Sequence, residues 1–210
     1  MRLLYSALYY CLLPLLLLRM LWRSRRAVAY RQRLPERFAL FSARPGLHLP
    51  AIWVHAVSVG ETLAAAPLIE SLLEQYPGHR LVLTTTTPTG SEQARERFGD
   101  RVFHVYLPWD LPGCMRRFLE RTRPVLLLIM ETELWPNMLH YSRAAGCRIM
   151  LVNARMSERS ARGYSRVSGL TQVMLQQLDV VACQTAIDGE RLLNLGLPKS
   201  VLVCTGSLKF

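Results

Sequence analysis

The sequence predicts an α/β fold with a doubly wound parallel sheet and a hydrophobic helix in front of it. Short apolar runs rich in β-branched residues recur about every 20 to 28 positions, and amphipathic stretches separate them. Polar or glycine-bearing motifs follow the runs. Strands that alternate with helices typically build a parallel sheet whose carboxyl edge holds the ligand crevice. The predicted strands are residues 52–57, 81–86, 102–107, 124–130, 148–153, 179–183 and 201–205.

Residues 1–26 are the first predicted element, a membrane anchor. An uncharged stretch, LLYSALYYCLLPLLLL, covers residues 3–18, and three arginines follow at residues 23–26. A cleavable signal peptide fits badly, because its charges precede the apolar core and a small-residue cleavage site follows it. Sixteen helical residues span about 24 Å, short of a hydrocarbon core of about 30 Å, so spanning and in-plane insertion both remain open. Pro14 and the arginines argue against the remaining alternative, a buried helix of a soluble core.

The remainder is predicted to be a basic linker at residues 27–50 and one α/β domain at residues 51–210. Pro35, Pro45 and Pro50 punctuate the linker, which indicates a connecting segment or a short docking helix. A chain of 210 residues, 50% hydrophobic, can bury one substantial core but hardly two. The net charge of +11 favours an anionic partner such as phospholipid, phosphorylated glycolipid or nucleic acid. The five cysteines are isolated, without CxxC spacing, which indicates a reduced, cytosolic protein.

The motif Ser58-Val59-Gly60-Glu61 follows the first predicted strand and opens a helix. In the first turn of a helix the macrodipole favours an ionised carboxylate, and an ionised carboxylate at a crevice could accept a proton. The S-x-x-E spacing is equally typical of a capping box, in which Glu61 would merely bond the Ser58 amide. The spacing leaves both interpretations open.

A second acidic motif, Glu131-Thr132-Glu133-Leu134-Trp135-Pro136-Asn137, follows the most apolar predicted strand. Pro136 suits the first turn of the next helix. One glutamate could cap that helix while the other points into the crevice, and either could be a satisfied structural group. Trp135 is predicted to pack in the interior.

Two weaker signals indicate anion binding. Thr87-Pro88-Thr89-Gly90-Ser91-Glu92 resembles a turn into a helix whose free amides hold an anion, but it lacks the glycine spacing of a dinucleotide site. Arg155, Arg159, Arg162 and Arg166 recur at helical spacing, which predicts a solvated face or a phosphate-binding stripe. No histidine pair has the spacing of metal ligands, so neither a metal site nor a cofactor is expected.

Six segments of the chain carry a combination of motifs that is highly specific. They are VHAVSVGETLAAAPL (54–68), TTTPTGSE (85–92), HVYLPWDLP (104–112), LIMETELWPN (128–137), NARMS (153–157) and TGSLKF (205–210). Together they resemble the 3-deoxy-D-manno-octulosonic acid (Kdo) transferases of lipopolysaccharide synthesis. The resemblance covers essentially the whole chain but only the amino-terminal half of the family's architecture. It implies a GT-B arrangement, in which a first, Rossmann-like domain binds the lipid A precursor and a second domain binds CMP-Kdo.

The resemblance also implies roles for individual residues. Glu61 would be the general base that takes the proton from a glucosamine hydroxyl of the acceptor, and the transfer would invert the anomeric carbon of Kdo. Glu131 and Lys209 would stabilise charge in the transition state, and Glu133 is the weaker candidate. The candidates for binding the acceptor are Ser58, Gly60, Thr89 and Arg155.

The partners and the location follow from the same resemblance. The acceptor would be the lipid A precursor (lipid IVA) and the donor CMP-Kdo, with anionic lipid of the inner membrane around the anchor and no nucleic acid. The chain is expected at the cytoplasmic face of the inner membrane. Because the donor-binding domain is expected to be missing from this chain, the chain alone is expected to show no turnover.

Two other functions remain open. Another GT-B transferase with a nucleotide-sugar donor and a lipid acceptor, such as a peptidoglycan-type enzyme, usually carries glycine-rich loops early in the chain. A non-catalytic, membrane-anchored module that binds anionic lipid would suit a chain that naturally ends at Phe210.

Overall fold

Seven strands form one parallel sheet in the computed structural model, which describes residues 1–25, 29, 31–42 and 49–208. The strands are β1 (Ala51–His55), β2 (Arg80–Thr85), β3 (Phe103–Tyr106), β4 (Pro124–Met130), β5 (Arg148–Ala154), β6 (Val180–Cys183) and β7 (Leu202–Cys204). The helices are α1 (Arg2–Ser24), α2 (Val59–Gln75), α3 (Pro88–Phe98), α4 (Pro112–Thr122), α5 (Pro136–Ala144), α6 (Glu158–Ser165), α7 (Ser168–Leu175) and α8 (Ala186–Asn194). Each predicted strand is present, with its ends within about two residues of the predicted ones.

The order of strands across the sheet is β3-β2-β1-β4-β5-β6-β7, and every neighbouring pair is parallel. This is the doubly wound, Rossmann-like order, so the predicted fold class is confirmed. The chain winds outward from β1 to β3, crosses back through α4, and winds outward again from β4. His55 of β1 therefore lies beside Ile129 of β4. A crevice opens where helices leave two such neighbouring strands toward opposite faces.

The two faces of the sheet carry separate apolar cores, because side chains alternate along each strand. On one face, Trp53 of β1 packs against Phe118 of α4, and their ring centres are 4.6 Å apart. On the other face, Val54 and Leu83 pack with residues of α2 and α3. Residues 127–130 of β4 are all buried, as the continuous apolar run predicts for a central strand.

Gly90 lets the turns after β1 and β2 pack closely. The Thr87 hydroxyl accepts the Gly90 amide at 3.1 Å and so caps α3. A Cβ at Gly90 would lie 2.9 Å from that hydroxyl oxygen and 3.3 Å from the carbonyl carbon of Ser58. A larger residue would therefore push α3 away from the start of α2, which carries Glu61.

Helix α1 has one covered side and one exposed side. Ser6, Met20 and Ser24 are buried, and the polar side chains of Arg2 and Ser6 bond to Asn137 at the start of α5. The opposite side exposes large apolar residues, among them Leu3, Leu4, Leu8, Leu15 and Leu18. The helix is long and apolar enough to cross a membrane by length and composition. The predicted amino-terminal apolar helix is thus present, and the domain occupies one of its sides.

The described part of the region predicted as a linker packs on the edge of the sheet. A 3₁₀ turn spans Leu34–Phe38. Arg37 in this turn is 8% exposed, donates to the Thr86 carbonyl at 2.7 Å, and places its guanidinium 4.5 Å from the Tyr106 ring centre. The Glu36 carboxylate accepts the Tyr106 amide of the edge strand β3 at 2.9 Å. The turn therefore covers backbone groups that an edge strand would otherwise expose.

Candidate active site

Two of the predicted motifs lie side by side at the carboxyl ends of β1 and β4. Ser58 is the N-cap of α2 directly after β1, and residues 131–135 join β4 to α5. Because β1 and β4 are neighbours at the point where the strand order reverses, both motifs face the crevice of the doubly wound sheet.

Glu61 is held by hydrogen bonds at both of its carboxylate oxygens. The Val57 amide donates to Oε2 and the Ser58 hydroxyl donates to Oε1, each at 2.9 Å. The Ser58 hydroxyl in turn accepts the Glu61 amide at 3.4 Å. Glu61 thus bonds the Val57 amide, one residue before the amide that a capping box predicts. The carboxylate has a structural role at the start of α2 and is also fixed in orientation.

Burial raises the pKa of Glu61, which is only 7% exposed. Its bonds to Val57 and Ser58 favour the ionised form, while the negative charges of Glu133 and Glu131 oppose it. The net result is a carboxyl group with a raised pKa. A general base works best when its pKa approaches the working pH, so this environment suits proton transfer.

Glu131 has a left-handed backbone, with φ of 55°, where glycine is ordinarily favoured. Its amide donates to the Val152 carbonyl of β5 at 2.9 Å, which fixes the turn at the end of β4. Asn153, near the end of the neighbouring strand β5, has φ of 56°. Such a conformation costs a non-glycine residue about 1 kcal/mol or more, and it is concentrated at functional sites. Both strands thus end at the crevice in strained backbone.

Glu133 is the other carboxylate of the loop, and its Oε2 accepts the Trp135 indole N–H at 3.1 Å. Burial raises its pKa, and the nearby charge of Glu131 raises it further. On the far side of the loop, the Tyr164 hydroxyl donates to the Thr132 carbonyl at 3.3 Å. Burial, with a smaller effect of the Glu133 charge, raises the pKa of Tyr164 to about 12. The Tyr164 hydroxyl is therefore a neutral donor that supports the loop.

Neither glutamate caps α5, contrary to one of the sequence interpretations. Asp110, from the loop between β3 and α4, accepts the Asn137 amide at 2.9 Å and the Met138 amide at 2.7 Å. The cap of α5 therefore comes from a side chain 27 residues earlier in the chain than the Asn137 amide that it accepts.

A cavity of about 190 Å³ adjoins Glu133 and reaches helix α1. Its walls include Tyr9 of α1, Trp109 and Trp135, together with the Arg37 guanidinium. The cavity therefore combines aromatic walls with charged side chains. In the described ranges no group of three or more His, Cys, Asp or Glu side chains is placed to hold a metal ion.

Residues 32–210 match the family described as 3-deoxy-D-manno-octulosonic-acid transferase (kdotransferase). The chain belongs to this family. The 3-deoxy-D-manno-octulosonic acid transferase of Haemophilus influenzae is 41% identical over 209 residues, which are 100% of this chain and 49% of the relative. That of Bordetella pertussis is 42% identical over 206 residues, or 95% of this chain and 47% of the relative. The chain thus spans about half the length of these relatives.

Solved structures similar to this chain include UDP-GlcNAc 2-epimerases. The enzyme from Neisseria meningitidis, bound to UDP-GlcNAc, has a TM-score of 0.55 and 12% identity over 75% of this chain and 46% of its own. The enzyme from Rickettsia bellii has a TM-score of 0.51 and 17% identity over 77% of this chain and 46% of its own. At such low identity the similarity shows the fold alone.

The four residues that the sequence indicates as candidates for binding an acceptor do not all lie together. Ser58 contacts Glu61 directly, and Gly60 is exposed beside it, with open space where a Cβ would stand. Thr89 instead lines a separate cavity of about 980 Å³ beside α3, with Arg33 and Arg95 on its walls. In the sheet, β2 and β1 lie between β3, which borders this cavity, and β4, which carries the acidic loop.

Arg155 is exposed and precedes α6, which begins after the N-cap Ser157. The predicted stripe of four arginines on one helix is therefore wrong at both ends, because α6 begins at Glu158, after Arg155, and ends at Ser165, before Arg166. The Arg155 carbonyl accepts from the Thr132 hydroxyl, which brings its backbone against the acidic loop. Lys209 lies outside the residues that the structure describes.

Three polar residues of the site were not singled out as candidates by the sequence. Asp110 and Asn137 organise the start of α5, and Asn153 accepts the Leu208 amide at 3.0 Å. Each lies in one of the motif segments and is at most 2% exposed. Their polar side chains within largely apolar segments could have marked them as hydrogen-bonded groups of the interior. Their partners could not be found in this way, because they lie 27 to 55 residues away in the chain.

Proposed function

We propose that this chain is the acceptor-binding part of an enzyme that transfers Kdo from CMP-Kdo to the lipid A precursor. The proposal rests on one observation above all, the fixed and buried carboxylate of Glu61 at the switch point of the sheet. Membership of the Kdo transferase family supports Kdo as the sugar that is transferred. The basic surplus of the chain, +11, supports a phosphorylated acceptor.

In the proposed reaction an acceptor hydroxyl attacks the anomeric carbon of Kdo. The oxygen–carbon bond forms while the bond from that carbon to the CMP phosphate oxygen breaks, which inverts the carbon. The hydroxyl proton passes to Glu61, and CMP leaves with the bonding electron pair. The Val57 amide and the Ser58 hydroxyl hold the carboxylate still, so little reorganisation is needed when the proton arrives.

Glu131 is the proposed stabiliser of the positive charge that develops on the sugar ring, since a transferring sugar passes through an oxocarbenium-like state. Lys209 is proposed to offset the negative charge of the leaving phosphate. The residues that hold CMP would belong to the second domain of the longer relatives, so we propose no turnover for this chain by itself. Ser58, Gly60 and Arg155 are the proposed contacts of the acceptor, with Thr89 at a more distant position.

Attachment to the cytoplasmic face of the inner membrane is proposed to occur through α1, lying in the plane of the interface. The domain covers one side of α1, where Arg2 and Ser6 bond to Asn137, while the leucine-rich side is exposed. A helix with one polar, occupied side and one apolar side suits an interfacial position. The acceptor would then reach the crevice along the cavity that Tyr9 and Glu133 share.

The test is Glu61→Gln in the enzyme that includes both halves. Glutamine keeps an oxygen for the Val57 amide but cannot take the proton, so we expect transfer to fall by about 100-fold or more. The melting temperature should stay close to the wild-type value, because the Val57 amide keeps its acceptor and the glutamine Nε2 can donate to the Ser58 hydroxyl oxygen. Initial rates of Kdo transfer and thermal unfolding give the two readings.

Glu74→Gln is the matched control, because Glu74 is an exposed glutamate near the other end of the same helix. It should change neither transfer nor melting temperature. Transfer retained by Glu61→Gln would refute the base assignment. A wild-type enzyme that binds anionic vesicles but transfers no sugar would favour a lipid-binding module instead.

A further inference from the structure

A buried polar cluster joins helix α1 to the loop of Glu131. We call it the α1–α5 junction, and its members are Ser6 of α1, Asp110 of the β3–α4 loop and Asn137 of α5. They are 5%, 2% and 0% exposed, respectively. Buried polar groups destabilise a fold unless they are hydrogen-bonded, so this cluster must be well satisfied to be tolerated.

Asn137 is the centre of the junction. Its side-chain nitrogen, Nδ2, donates to the backbone carbonyl of Asp110 at 2.6 Å and to the Ser6 hydroxyl at 3.0 Å. Its Oδ1 accepts from the Arg2 guanidinium at 3.0 Å. The side chain therefore bonds two residues of α1 and the β3–α4 loop at once.

The junction also fixes the loop that carries the acidic residues. The Asp110 carboxylate accepts the backbone amides of Asn137 and Met138, which secures the first turn of α5. The loop of residues 131–135 runs from the end of β4 to Pro136, where that turn begins. Five residues between two fixed ends have little freedom. A displacement of the first turn of α5 would therefore shift Glu131 and Glu133.

We propose that Asn137 is a positioning residue that ties α1 to the first turn of α5 and so holds the Glu131 loop in its working orientation. Helix α1 is then part of the site's frame as well as an attachment. Tyr9, one turn after Ser6, supports this by forming part of the cavity wall next to Glu133. The catalytic consequence rests on the proposed function, whereas the mechanical tie does not.

Hydrogen exchange in this chain tests the tie, with Ser6→Ala as the variant. Loss of the hydrogen bond between Asn137 and Ser6 should speed exchange of the amides of residues 131–135, 137 and 138 about fivefold. Ser24→Ala is the matched control, because the buried Ser24 hydroxyl of the same helix donates to the Leu21 carbonyl, also within α1, at 2.6 Å. Ser6→Thr keeps the hydroxyl and should restore slow exchange. Unchanged exchange in Ser6→Ala, or an equal rise in every segment, would overturn the tie.

Kinetics in the two-domain enzyme test the positioning role. Ser6→Ala should lower kcat about fivefold with the KM for the sugar donor unchanged, and Ser6→Thr should restore kcat. A looser loop with unchanged kcat would overturn the positioning role. A wild-type enzyme without Kdo transfer would refute the proposed function, and the exchange measurement would still decide the tie.

Discussion

Glu131 occupies a backbone conformation that glycine would adopt more readily, and its amide still bonds β5. A glutamate at such a position keeps a carboxylate beside Glu61, at a cost in stability of about 1 kcal/mol. Stability alone does not explain this choice. Asn153 repeats the pattern on the neighbouring strand, where its Oδ1 accepts the Leu208 amide, next in the chain to Lys209.

Glu131→Gly separates the effect of the left-handed backbone on stability from the effect of the carboxylate on transfer. Glycine relieves the left-handed strain, so the free energy of unfolding should stay within about 1 kcal/mol of wild type or rise. Transfer by the two-domain enzyme should fall sharply, because the charge near the developing cation is gone. Urea unfolding and initial rates measure the two effects. Wild-type rates in the glycine variant would leave Glu131 with a purely structural role.

At the scale of elements, Asp110 clamps the β3–α4 loop onto α5, and burial raises its pKa to about 6. The two backbone amides that it accepts favour the charged carboxylate, but desolvation outweighs them. The folded state therefore holds this proton more tightly than the unfolded chain does. The stability that protonated Asp110 contributes to the fold is fully present below pH about 4 and is lost as the pH rises through about 6.

The corresponding prediction compares wild type with Asp110→Asn between pH 4 and pH 7. The stability advantage of wild type over the variant should shrink by up to about 3 kcal/mol as the pH rises across this range. Asparagine does not titrate, so other groups cancel in the difference. Urea unfolding at several pH values gives the curve. Parallel curves for the two proteins would show that Asp110 has an ordinary pKa.

The elements themselves were largely predictable. Each apolar run of the sheet ends at a polar motif, so strand ends and crevice could be derived from local pattern, and two acidic motifs were expected there. The partners that secure the motifs could not be derived. Asp110 caps a helix 27 positions later, and Asn153 accepts an amide 55 positions later, so only the folded topology brings them together.

For the whole molecule, we propose that the exposed side of α1 is the surface through which the domain meets a membrane. Leu8→Ser with Leu15→Ser should weaken binding to anionic vesicles at least about tenfold, because two apolar side chains are removed from the interface. Flotation with vesicles measures the bound fraction. Leu40→Ser with Leu63→Ser, exposed leucines outside α1, is the matched control and should bind normally. Equal loss in both variants would assign attachment elsewhere.

The occupied side of α1 also bears on how the protein reaches its membrane. If the helix entered the bilayer alone, the Arg2 guanidinium would lose its bond to the Asn137 side chain, and the Ser6 hydroxyl would keep only its bond to the Arg2 carbonyl within α1. Asn137 becomes available to both residues only after the first turn of α5 has formed. On the proposed attachment, folding is therefore expected to precede insertion, and the folded protein would adsorb to the bilayer without passing through a translocation channel. Attachment of this kind is reversible, so alkaline washing should release the protein intact.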